Sequence, residues 1–117
     1  MKTIICDIDG CLVEQNGHYA NRVSQHVAFK MLPGTIDKFL EWDRKAYKIL
    51  LITARKESSR KQTEKMLSDL GIFYDVLVMG MNTGQRVLIN DLKPDSDIET
   101  AVAINLPRNK GVSGIDV

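Results

Sequence analysis

Cysteine is scarce in this chain: Cys6 and Cys11 are the only two in 117 residues. Two are too few for a disulfide framework, and Cys6 stands in an apolar run where a thiol serves as a small hydrophobe. Neither sign of charge dominates. Sixteen Lys and Arg against 15 Asp and Glu leave a net +1, so no global field marks a binder of nucleic acid or of a charged membrane. Aromatic residues make up 6%, few for the stacking platforms on which single-stranded nucleic acid is held. No run approaches the roughly 20 apolar residues of a membrane span. Asp7 and Asp9 interrupt the first residues before the apolar core of a signal peptide could form. These absences make a cytoplasmic location, with no membrane partner, the expectation. His18 and His26 lack cysteine or histidine partners at metal-ligand spacing and read as loop polarity.

What is present is the balance of a globular protein, 44% hydrophobic and 26% charged residues, enough for one domain over residues 1–117. Short apolar runs rich in β-branched residues at 3–8, 48–53, 75–79, 86–90 and 101–105 alternate with segments of helical period. This predicts an α/β fold with a central, mainly parallel sheet. Continuous apolar character suits strands covered on both faces, hence a three-layer, Rossmann-like domain. The spacing predicts a helix over 35–44 after Pro33-Gly34, burying Ile36, Phe39, Leu40 and Trp42. A second is predicted over 57–70, with Met66, Leu67 and Leu70 inward and a stop at Gly71. Residues 10–32 form a stretch longer than most loops, read as a flap with a hairpin around Asn16-Gly17. Residues 109–117 are polar and Gly-bearing, and are expected to be loosely ordered.

The chemistry gathers where strands end. Asp7 and Asp9 flank Ile8 as the first apolar run gives way to Gly10. Two like charges so close need a cation or a proton to coexist. Open α/β sheets bind ligands at the carboxyl ends of their strands, where this pair falls. The second run ends in Thr53-Ala54-Arg55, a hydroxyl followed by a helix start whose N–H groups face an anion. The fourth ends in Asn90-Asp91, with Asp95 four residues on. Judged alone, Thr53 could be a helix cap and the acid pair an exposed turn.

Taken together, Asp7-Ile8-Asp9-Gly10, Thr53 after an apolar strand, and Asn90-Asp91-Leu92-Lys93-Pro94-Asp95 resemble three of the four motifs of the haloacid dehalogenase-like phosphatases, in the right order. The resemblance implies a phosphoric monoester hydrolase in which Asp7 attacks phosphorus to form an aspartyl phosphate. Asp9 then protonates the leaving oxygen and later activates water. It implies Mg2+ held by Asp7, Asp91 and the backbone carbonyl of Asp9, with Asn90 or Asp95 supporting the metal ligands. Thr53, Ala54 and Arg55 would bind the substrate phosphate. The family's basic residue has no lysine after the third run, which leaves Arg86, with Lys93 as the alternative. Cys11 stands where many relatives have threonine. The link between the third and fourth runs is only about six residues, short of the dozen that a parallel crossover takes.

Neither usual position has room for a large cap, which implies the capless type, with an open site that suits a bulky substrate or closure by a neighbouring subunit. A sugar or nucleotide phosphate is the first expectation for substrate, and homo-oligomers are open. The stretch from Ile52 to Ile72 is similar to the phosphatase domain of polynucleotide kinase-phosphatases, which brings in a polynucleotide 3′-phosphatase as a second reading. The third is a phosphate-binding or phospho-switch protein. Response-regulator receivers share strand-end acids, but carry their acid pair as sequence neighbours rather than as Asp-x-Asp.

Overall fold

A computed structural model describes residues 1–15 and 29–117. The hairpin expected at Asn16-Gly17, like His18 and His26, lies outside the described residues. Strand β1 (Thr3–Asp7), helix α1 (Thr35–Arg44), strand β2 (Lys48–Ile52), helix α2 (Arg60–Leu70) and strand β3 (Val76–Val78) follow in order, and a single 3-10 turn, Glu57–Ser59, leads into α2. The strands form a parallel sheet in the order β1-β2-β3. Cys6 lies opposite Leu51, Asp7 opposite Ile52, and Leu51 opposite Leu77.

Side chains alternate across a strand, so this register puts Ile4, Cys6, Ile49, Leu51 and Leu77 on one face. That face meets Phe39 and Trp42 of α1 and Met66 and Leu67 of α2 in one core. Two successive right-handed crossovers in the same direction bring both helices to the same side. The opposite face carries Ile5, Val76 and Val78, all exposed. Covering on both faces is thus not met by the described residues.

Both helices lie where the sequence period put them, for local reasons. Helix α1 starts at Gly34, whose φ of 84° is left-handed, a conformation glycine adopts without a Cβ penalty. Helix α2 stops at Gly71, φ 76°, whose N–H closes back on the last turn. Leu40, expected inside, is exposed, because Phe39 and Trp42 already fill the stripe facing the sheet.

Two expectations are corrected. Residues 109–117 are well anchored: Val112 is fully buried, and its N–H donates to the Pro33 carbonyl at 3.0 Å. Asn109 clamps Gln15, accepting from its N–H at 2.8 Å and donating to its carbonyl at 2.7 Å. The runs 86–90 and 101–105 are not strands. Neither has a ladder partner among the described residues, and Val87, Leu88, Ile89, Val102 and Ile104 all face outward.

Candidate active site

The carboxyl ends of β1 and β2 open on a cleft of about 700 Å³ that holds Asp7, Asp9, Thr53, Ala54, Arg55 and Arg86 together. The tight turn after β1 makes this placement. Gly10, at φ 87°, donates its N–H to Val13 at 2.7 Å, and the Leu12 N–H returns to Ile8 at 2.9 Å. The ends of the 10–32 segment pair beside it, Glu14 N–H to Lys30 and Leu32 N–H to Leu12, both at 2.8 Å.

Asp7 is half-buried and accepts from the Ile8 N–H at 3.0 Å. Burial pushes its carboxyl above the usual range; the Ile8 N–H and then the charge of Arg86 oppose that shift, while Asp9 adds to it. Asp9 is fastened to Arg55 by two parallel bonds, Nε to Oδ2 at 2.9 Å and Nη2 to Oδ1 at 2.7 Å. This bidentate geometry is the strong form of the pair. The guanidinium is buried, with Nη1 donating to Thr63 at 3.2 Å and the ring of Phe29 at 4.9 Å from its carbon. The Thr53 hydroxyl accepts the backbone N–H of Arg55 at 3.0 Å, and Thr53 lines the cleft rather than capping a helix, since the 3-10 turn begins only at Glu57 and α2 at Arg60. Burial pushes the Cys11 thiol up to about 11. Cys6 moves further in the same direction. Both therefore stay protonated and unreactive at neutral pH.

The polar residues at the end of the fourth apolar run do not join them. Asn90, Asp91 and Asp95 are exposed and lie outside the cleft. The Asn90 amide donates to the carbonyl of Thr100 at 3.0 Å, and the Thr100 hydroxyl donates to the carbonyl of Asp91 at 2.5 Å. Lys93 is likewise outside, whereas Arg86 lines the cleft. No group of three potential metal ligands forms among the described residues. The donor set expected for Mg2+ is thus not assembled among the described residues: Asp91 lies outside the cleft that holds Asp7 and Asp9. Reasoning from the motifs also missed Arg108, which lines the cleft and whose Cγ lies 3.5 Å from where a Gly10 side chain would start. It missed Arg55 as the clamp of Asp9. Neither has a local sequence signal, since each comes to the site through the tertiary fold.

No protein-family model and no curated protein matches the chain. Among solved structures, a chain of the Pnkp1/Rnl/Hen1 complex is similar at TM-score 0.59 and 28% identity, over 74% of this chain and 30% of that one. A chain of the Pnkp1/Rnl/Hen1 RNA repair complex is similar at TM-score 0.59 and 28% identity, over 73% and 27%. The D,D-heptose 1.7-bisphosphate phosphatase from B. bronchiseptica, complexed with magnesium and phosphate, is more distant, at TM-score 0.49 and 16% identity over 71% and 52%. The chain spans less than a third of the length of the first two. Its fold is a small α/β domain of the Rossmann-like kind, with a parallel sheet and no large cap among the described residues. Among those residues, no helix is long and apolar enough to cross a membrane.

Proposed function

We propose that the protein is a phosphatase that hydrolyses phosphate monoesters through an aspartyl phosphate on Asp7. The observation that carries this reading is a strand-end carboxylate in a cleft that also holds Lys56, Arg86 and Arg108, beyond the Arg55 already paired with Asp9. Three cations around one unclamped acid make a site for a dianion that still offers it a nucleophile. Asp7 forms a bond to phosphorus as the bond to the leaving oxygen breaks. Arg86 offsets the charge that gathers on the phosphoryl oxygens. Once the guanidinium of Arg55 releases one of its oxygens, Asp9 takes up a proton from solvent, gives it to the leaving oxygen, and takes a proton back from the water that frees inorganic phosphate.

A sugar or nucleotide phosphate fits a cleft of about 700 Å³. The likeness to chains of an RNA repair complex, at 28% identity, favours a second reading, a polynucleotide 3′-phosphate as substrate. The test is phosphate release from sugar phosphates, nucleotides and a 3′-phosphorylated oligonucleotide, with magnesium and with chelator, comparing wild type with Asp7→Asn. Turnover that depends on Asp7 is the expected result, and its substrate rank separates the two readings. An Asp7→Asn protein of full activity would remove Asp7 from the chemistry.

A further inference from the structure

Two loose ends match each other. Strand β1 has β2 as its sheet neighbour, and its outer edge is unpaired among the described residues. The run Arg86-Val87-Leu88-Ile89-Asn90 is as long as β1, and Val87, Leu88 and Ile89 are 75%, 54% and 89% exposed. Three adjacent apolar residues without alternation suit a strand covered on both faces. Left open, such a run and such an edge are each a template for pairing with another chain.

The reach of the link decides whose edge the run can take. The N–H of Gly80 donates to Arg55 at 2.7 Å and that of Met81 to Thr53 at 3.1 Å. Both residues are thereby tied to the end of β2, and only residues 82–85 are free to travel. From Met81 to Arg86 a fully stretched chain reaches about 17 Å. To lie parallel beside its own β1, the run must begin about 10 Å sideways and about 17 Å down the sheet, a straight-line distance of roughly 20 Å that passes through packed side chains. The link is too short. In a two-fold mate whose strands run the opposite way beside β1, the start of β1 lies level with this chain's cleft. The link then crosses only about 14 Å, three strand spacings, along the open edge of the sheet. Thr83 and Arg86 line the cleft at the carboxyl ends of β1 and β2, where this path begins.

We propose that residues 86–91 of each chain add in parallel to the free edge of β1 in a second copy, forming a two-fold exchanged dimer that sets Asp91 of one chain beside Asp7 of the other. The joined sheet runs β3-β2-β1, the partner's run, this chain's run, then the partner's β1-β2-β3. Such isologous exchange through a short link is a low-cost route to a dimer. It covers the exposed apolar run and brings a further carboxylate to a cleft that lacks one within a single chain. The pairing of strands stands without the phosphatase reading; the use made of Asp91 rests on that reading.

Sedimentation velocity on the full chain should give twice 13.2 kDa. Leu88→Asp should give a monomer that keeps the helical part of the circular dichroism spectrum and loses some strand signal, since Leu88 is exposed in the single chain and residues 86–91 are a strand only in the dimer. A monomeric wild type, or a Leu88→Asp protein that stays dimeric, overturns the exchange. The second test co-expresses Asp7→Asn and Asp91→Asn chains under different tags and isolates the mixed dimer. Each variant alone should be inactive, and the mixed dimer should recover about half of wild-type turnover, because one of its two sites holds both aspartates. No recovery, or an active Asp91→Asn protein, overturns the placement of Asp91. A wild type that hydrolyses no monoester counts against the phosphatase reading, while a dimer split by Leu88→Asp still upholds the exchange.

Discussion

Asp9 and Arg55 are the most tightly bound polar pair of the cleft, with side-chain exposures of 14% and 2%. Removing one partner of a buried pair leaves the other charge unpaired in a poor solvent for it. Arg55→Ala should therefore cost about 3 kcal/mol, read as a lower denaturation midpoint at unchanged slope. Arg55→Lys should recover only part of this, because an ammonium cannot make the two parallel bonds. Asp7 behaves in the opposite sense. Its pKa is raised chiefly by burial, so the folded state binds the proton more tightly than the unfolded state does, and ionising Asp7 opposes folding. Stability from this group is fully present below the unfolded pKa and is lost as pH rises through the folded one. Asp7→Asn should abolish turnover yet raise Tm at pH 7, with the gain shrinking as pH falls towards the carboxylate range. Wild-type kcat/KM should fall on the acid side at a pH above that of an ordinary aspartate.

At the level of elements, two glycines with similar backbones separate strain from crowding. A Cβ at Gly71, φ 76°, would meet only the end of the Ile36 side chain at 3.9 Å, so Gly71→Ala should cost about 1 kcal/mol, the price of a left-handed conformation. A Cβ at Gly34, φ 84°, would lie 2.5 Å from the backbone of Ser113. Gly34→Ala should cost at least about 2 kcal/mol more, and should loosen the segment that carries Val112 and Arg108 as well as the start of α1. Hydrogen exchange at the Val112 amide, which is bonded to Pro33, reports that loosening directly.

For the whole molecule, a net charge of +1 hides a local excess of Lys56, Arg86 and Arg108 at the cleft. The affinity for a phosphate dianion should therefore depend on salt although the protein is nearly neutral: KM should rise several-fold between low and about 0.5 M salt, with kcat little changed. A KM insensitive to salt would remove these cations from substrate binding.

Periodicity and turn residues settled α1, α2 and the first strands, because a helix stripe, Gly34 and Gly71 act over a few neighbours and leave their marks in the order of residues. The Asp7-x-Asp9-Gly10 turn and Thr53 were legible for the same reason: strand ends are local. Contacts between distant segments decided the rest. Arg55 reaches across 46 positions to Asp9, and Asn109 across 94 to Gln15, so neither partner marks the other in the sequence. The run 86–90 shows the limit most clearly. Its composition predicts a strand that the single chain does not form, because pairing depends on the reach of residues 82–85 and on where an edge stands open, and both are properties of the folded chain.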